Sequence, residues 1–331
     1  MNKLIDKKYR ISYNIEDLPR TVTVLDNPKS TCLSKLTKAL NARNTEDAID
    51  LAIELSFSGY YGQIITKIVD FYIKNINLAQ PRGILYISEF YTYYNQKYEK
   101  NNIKKHKLII INDQVVRNFI SNLITLICGS NQRKLLSLVK ITNKDFDLNK
   151  KKDILVSKNL KLVAKFLGSG DNKNIIIPLS EIITLFTCHY IKNREQKIIF
   201  WLSWLLEYEK IFHEGALEVN NRNVPGVESK FTKDYLWIIW EMLNKSINDR
   251  HVKKIVSSLE AIYKQNFTMS NRKKKISLLI FAILIHINPM PKLLFPPKPI
   301  EPLLFYNMQY ETILVNLKYF EIKKQLMIEN L

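Results

Sequence analysis

The stretch DFDLNKKKDILV, starting at Asp145, opens like a calcium loop, with Asp145, Asp147 and Asn149 at the first three odd positions where oxygen ligands would gather. Two later positions deny that chemistry. Lys150 stands where the sharp turn needs glycine, and Val156 stands where a bidentate glutamate would close the site. The segment reads as a solvated basic linker. HEGAL at His213 lacks the second histidine, one helical turn on, that would complete a zinc pair. Cys188 and His189 are adjacent, and neighbouring side chains on a helix diverge by about 100°, so nucleophile and base would not meet. Cys188 reads instead as a small buried hydrophobe. LGSGDNKN, with Gly168 and Gly170, follows no strand and has no G-K-[ST], so it reads as a helix stop and loop. His286 lies inside the most apolar run and reads as a hydrogen-bonded core residue. No catalytic set, metal site or cofactor site follows from these residues, and a non-enzymatic protein is expected.

The positive chemistry is basic. Lys104, Lys105 and Lys107 lie in KNNIKKHK; Lys150, Lys151 and Lys152 in NKKKD; Arg250, Lys253 and Lys254 in RHVKK; Arg272, Lys273, Lys274 and Lys275 in NRKKK. At loops and helix starts such side chains could reach phosphates, and they are the candidate nucleic-acid contacts. The whole chain of 331 residues carries 50 basic against 31 acidic residues, a formal charge of +19. That balance gives a field able to attract polyanions. The excess is mostly lysine in a sequence also rich in Ile, Asn, Tyr and Phe, so a low-GC genome is a second source for it.

All four tryptophans fall in two W-x-x-W pairs, Trp201 with Trp204 and Trp237 with Trp240. The first pair sits in a pattern apolar nearly all round, which predicts a central, buried helix. In the second, Trp237 lies toward an edge shared with Glu241 and Asn244, which predicts partial exposure and makes it a candidate protein contact. The proline-rich strap NPMPKLLFPPKPIEP, with Pro296 and Pro299, is the other.

These residues must be positioned by helices. A hydrophobic fraction of 46% supports a packed core, and only 8 glycines, mostly between apolar-periodic segments, disfavour an all-β fold. NTEDAIDLAIELSFSG has a cap at Asn44 or Thr45, Ala48, Leu51, Ala52 and Leu55 at helical spacing, and Gly59 past the end. NDQVVRNFISNLITLICGS repeats the pattern, with a cap at Asn112 or Asp113, an inward stripe from Val116 to Ile127, and a stop at Gly129. Tyr91, Tyr94 and Tyr98 share one stripe that serves a core or, beside the basic connector, base stacking. Short helices are predicted over 131–140 and 154–167, a further one through IPLSEIITLFTCHYIKN, and a final one over about 303–330. The apolar run from Ile276 to Ile287 is shorter than the ~20 residues that span a bilayer, so a core helix is expected rather than a membrane span.

The fold class that follows is all-α, an irregular helical bundle or αα-hairpin array with a short non-helical N-terminal segment in which YRISYNI and RTVTVLD are candidate strands. Three regions are expected: an extended lead-in over 1–32, helical regions over 33–142 and 143–331, the last two separate or one continuous domain. Cys32, Cys128 and Cys188 are few, odd in number and without C-x-x-C, which points to a reducing, intracellular setting.

The stretch LSKLTKALNARNTEDAIDLAIELSFSGY, Leu33 to Tyr60, resembles the helical collar of replication factor C type clamp loaders. That resemblance implies helical assembly contacts; the phosphate loop of that family is absent, so it does not imply ATPase activity. The composition as a whole looks like that of proteins encoded by large DNA viruses of eukaryotes. Two functions are therefore expected. The first is a helical accessory protein that binds nucleic acid or a nucleoprotein assembly in viral replication, transcription or packaging. The alternative is a scaffold making protein–protein contacts, including a minor virion component.

Overall fold

The computed structural model describes residues 9–12, 21–99, 107–148, 155–158, 160–212, 217–288 and 316–325. Helices dominate and, among the described residues, there is no sheet. A single antiparallel bridge between Val22 and Pro28 stands where strands were expected in the lead-in. The chain forms two compact units, Met1–Lys134 with Pro296–Leu331, and Leu135–Phe295. The division thus falls before the boundary expected at 142/143, and the C-terminal residues belong with the first unit.

The first unit contains α1 (Lys29–Ala42), α2 (Thr45–Phe57), α3 (Tyr61–Asn75), α4 (Gly83–Tyr94), α5 (Lys107–Ile111) and α6 (Gln114–Gly129). Helix α6 is its axis: almost every side chain from Val116 to Cys128 is buried, and α1, α2, α3, α4 and α5 all pack against it. Asn44 caps α2 by accepting from the Asp47 amide, and Asp113 caps α6 by accepting from the Val115 amide. Helix α1 starts at Lys29, directly after Pro28, which fixes a backbone φ suited to a helix entry. Buried Glu54 of α2 accepts from the Thr23 hydroxyl, from Asn27 Nδ2 at 2.9 Å and from Cys32 Sγ at 3.5 Å, and Val24 N donates to Ser58 Oγ at 2.9 Å, so side-chain hydrogen bonds help tie down the lead-in where a sheet was expected.

Arg117 of α6, 2% exposed, performs the same service for both chain ends. Its guanidinium donates to the Tyr9 carbonyl at 3.1 Å, the Ile111 carbonyl at 2.7 Å and Asn112 Oδ1 at 3.1 Å. Its face covers the ring of Tyr319, 4.0 Å away, whose other neighbour Phe57 stacks at 4.8 Å. Tyr319 lies in the helical residues 316–325, the described part of the final helix predicted from the sequence.

Past α4 the chain takes one π-helical turn, Asn95–Glu99. The wider turn lets Tyr93, Lys97 and Tyr98 reach the same oxygen of Asp113, with Lys97 Nζ at 2.5 Å. Of the tyrosine stripe, Tyr98 is fully buried while Tyr91 and Tyr94 are half-buried among Phe90 and Tyr98, a core arrangement.

The second unit contains α7 (Lys161–Ala164), α8 (Ile176–Thr187), α9 (Arg194–Phe212), α10 (Leu236–Ser246), α11 (Arg250–Lys264) and α12 (Met269–Ile287). The central helix is α8, buried without interruption from Pro178 to Phe186 and packed by α7, α9 and α10. Helix α9 was expected in that place; it is buried only through Leu205, and Ile211 and Phe212 are exposed. The apolar run of α12 is core, and among the described residues no helix is long and apolar enough to cross a membrane.

One predicted helix is not formed and another is cut to a single turn. Residues 131–142 have no regular structure, since Arg133 N donates to the Asn75 carbonyl at 2.7 Å and Val139 N to Ser203 Oγ at 2.9 Å instead of to carbonyls of its own turn. Within 154–167 the described residues hold one turn, α7, while the amides of Val156 and Ser157 donate to the buried carboxylate of Glu181.

Candidate nucleic-acid interface

Helices α11 and α12 are joined by four residues and pack along their length, which makes them an antiparallel hairpin. Helix α11 is sharply two-faced. Ile255, Val256, Leu259, Ile262 and Tyr263 are buried, and Arg250, Lys253, Lys254, Ser257 and Ala261 are exposed on the other side. In the first turns of α12, Lys273 and Lys274 are likewise exposed. Among the described residues none of these five cations forms an ion pair.

The rest of the NRKKK cluster points inward, contrary to its sequence reading as a row of phosphate contacts. Arg272 is buried, its Nε 2.7 Å from Asp234 Oδ2 and its Nη1 hydrogen-bonded to Glu209, with the Tyr235 ring 4.9 Å beneath the guanidinium. Helical spacing explains this: Arg272 and Ile276 lie four apart on the face that meets the core. Lys275 donates to the carbonyls of Ile262 at 3.1 Å and Tyr263 at 2.9 Å, and to that of Gln265, holding the last turn of α11. Burial pushes its pKa down to about 8, while those three acceptors favour its charged form.

Trp237 is 3% exposed, so the partial exposure expected of it is not found. Its indole N–H donates to the Phe231 carbonyl at 2.8 Å, and its ring meets Tyr263 at 5.4 Å and Phe267 at 4.9 Å. The edge of α10 that looks open on a helical wheel is closed by the end of α11. Both W-x-x-W pairs are core anchors, since Trp201, Trp204 and Trp240 are buried as well. Lys107 opens α5 and is half-buried. Lys104, Lys105, Lys150, Lys151, Lys152, Pro296 and Pro299, as well as His213, lie outside the described residues.

The far end of the hairpin from its connecting turn carries a further group that sequence reading missed. The sequence predicts helix through TCHYIKN, yet α8 stops at Thr187 and residues 188–193 form a turn with Asn193 in the left-handed region, φ 56°. Arg194 closes the turn by donating to the carbonyls of Leu185 at 3.0 Å, Phe186 at 3.4 Å and, at the end of α12, Ile287 at 3.4 Å. His286 Nε2 donates to the Phe186 carbonyl at 3.2 Å, and burial lowers its pKa to about 4, so it is hydrogen-bonded as expected, though half-buried instead of fully within the core. Cys188 is half-buried at the end of α8, where the sequence suggested full burial. The signal that could have located the turn is Asn193 followed by Arg194, a left-handed former and a donor for the exposed carbonyls of α8.

The turn is therefore fixed to the C-terminal end of α12, the end that antiparallel packing sets beside the start of α11. Lys192 of the turn is exposed, as are Arg250, Lys253 and Lys254 in the first turns of α11, and Glu195 and Asp249 are the carboxylates beside them in sequence. Asp249 is engaged as the cap of α11, accepting from the amides of His251 at 2.7 Å and Val252 at 3.0 Å. Two hollows elsewhere have mixed charge. A groove of about 450 Å³ between α1 and α2 sets Lys35 and Lys38 against Asp47 and Asp50, and a cleft of about 180 Å³ beside Arg272 sets Lys230 and Lys233 against Glu209 and Glu218. Among the described residues no group of His, Cys, Asp and Glu is placed to hold a metal ion.

The Asp171 loop after Gly168 is likewise an internal fitting. Its carboxylate pairs with Arg222 and accepts from the Gly168 amide at 2.8 Å and the Asn220 amide at 2.8 Å, and no phosphate cradle is formed. No family model, curated protein or solved structure matches this chain.

Proposed function

We propose that this is a non-enzymatic helical accessory protein that binds nucleic acid, or a nucleoprotein assembly, through the exposed cations of the α11–α12 hairpin. The observation that carries the reading is the division of the basic residues there. Arg272 and Lys275 are consumed by the fold, whereas Arg250, Lys253, Lys254, Lys273 and Lys274 face solvent without partners among the described residues. Between Lys254 and the end of α11 lie ten residues, roughly 15 Å of helix, which spans several phosphates of a strand at 3.4 Å rise. With its lysine-rich, low-GC composition, the chain fits an intracellular, virus-encoded role in replication, transcription or packaging, and the collar-like helices α1 and α2 fit assembly contacts. The scaffold alternative loses Trp237 as a contact, because that ring is buried.

The test is binding of fluorescently labelled oligonucleotides by anisotropy as salt is raised. Affinity should fall between about 50 and 200 mM salt, log Kobs declining linearly with log salt, because each neutralised phosphate releases counterions. No binding at low salt, or affinity indifferent to salt, removes the proposal.

A further inference from the structure

We infer that Tyr190 is a stacking platform for an unpaired base, so that the basic end of the second unit takes single-stranded nucleic acid; this rests on the nucleic-acid reading above. Tyr190 is 86% exposed, and the next most exposed Phe, Tyr or Trp ring among the described residues, Phe212, reaches 45%. A lone exposed ring needs no explanation in itself. What distinguishes this one is where it is held and what surrounds it.

Tyr190 occupies the middle of the short turn between α8 and α9, and the turn is pinned at its far side by the three carbonyl contacts of Arg194 and by the left-handed Asn193. The backbone that presents the ring is thus fixed before any ligand arrives, which lowers the ordering cost of a stacked complex. Lys192 follows two residues later, and because α11 runs antiparallel to α12, whose Ile287 carbonyl Arg194 holds, the start of α11 with Arg250, Lys253 and Lys254 lies toward the same end of the hairpin. An aromatic face among cations that track a backbone is the arrangement by which single strands are gripped without regard to sequence, since every base offers a π-face. In a duplex those faces are hidden in the stack, so the ring discriminates strand state where the lysines do not.

The test compares the full chain with Tyr190→Ala and Tyr190→Phe, using a labelled oligothymidylate and a labelled duplex. Tyr190→Ala should weaken single-strand binding by about fivefold to a hundredfold, with the salt slope unchanged because no charge is lost. Tyr190→Phe should bind like the wild type, and duplex affinity should be the same for all three proteins. Equal single-strand affinity for Tyr190→Ala and wild type, or equal losses on single strand and duplex, overturns the inference while the wild-type salt dependence still supports the cationic interface. Absence of salt-dependent binding by the wild-type chain removes both. The ring is at the surface, so circular dichroism and thermal melting of Tyr190→Ala should match the wild type.

Discussion

At Arg272 one guanidinium answers two carboxylates, half-buried Glu209 and buried Asp234. Burial raises Asp234 to about 6, against the pull of Arg272. Arg272→Met would leave Asp234 buried and Glu209 half-buried beside an apolar chain, and a loss of about 3–5 kcal/mol in denaturant unfolding is expected. Two of the shifted groups of this unit, Asp234 and His286, act on acid stability with opposite sign. Asp234, raised in the folded state, contributes stability that is present below 3.8 and is lost as pH rises through about 6. His286 is lowered from 6.5 to about 4, so the unfolded chain binds the proton first and stability falls as pH drops through that window. His286→Gln removes the second effect alone. Between about pH 7 and pH 4.5 the variant should gain about 2 kcal/mol relative to wild type, a figure discounted for partial exposure of the ring and checked by unfolding curves at both pH values.

Among the elements, those with a cap, an unbroken apolar stripe and a stop are legible from residue order alone. Helices α2 and α6 begin and end within a residue of where Asn44, Asp113, Gly59 and Gly129 place them. Elements whose fate depends on distant partners are not. The 131–142 segment has helical composition, but its amides are taken by Asn75 and Ser203, residues far away in sequence. The turn at Tyr190 is hidden because α8 is stopped by a side chain, Arg194, that follows it, with no glycine or proline to mark the end. Close approach is another such dependence. A Cβ added at Gly83, the first residue of α4, would lie 2.6 Å from the ring of Tyr72, which is buried and donates to the Gln80 carbonyl at 2.6 Å. Gly83→Ala should therefore cost about 1–3 kcal/mol despite its better helix propensity, and thermal unfolding will show the drop.

On the scale of the whole molecule, charge and its placement separate. Residues 135–295 hold 26 basic against 15 acidic residues and the remainder of the chain 24 against 16, so the excess is shared by both units and does not by itself locate a site. Placement does: the same run, NRKKK, supplies two cations to the interior and two to the surface, a split decided by helical phase and by which neighbours the faces meet. The all-α class was legible because apolar spacing needs no knowledge of partners. Clusters read from sequence could be assigned chemistry but not direction, which is why Arg272, Lys275 and Trp237 belong to the fold, and why Lys192 and Tyr190 went unmarked. The decisive measurement is the salt slope of oligonucleotide binding for a chain carrying Arg250→Gln, Lys253→Gln and Lys254→Gln together, beside one carrying Lys35→Gln and Lys38→Gln on α1. The account predicts that the first variant loses about 2 units of slope on a single strand, near 0.7 for each contact removed, and that the second keeps the wild-type slope. Equal slopes for the wild type and the hairpin variant, or an equal loss from the α1 substitutions, would contradict it.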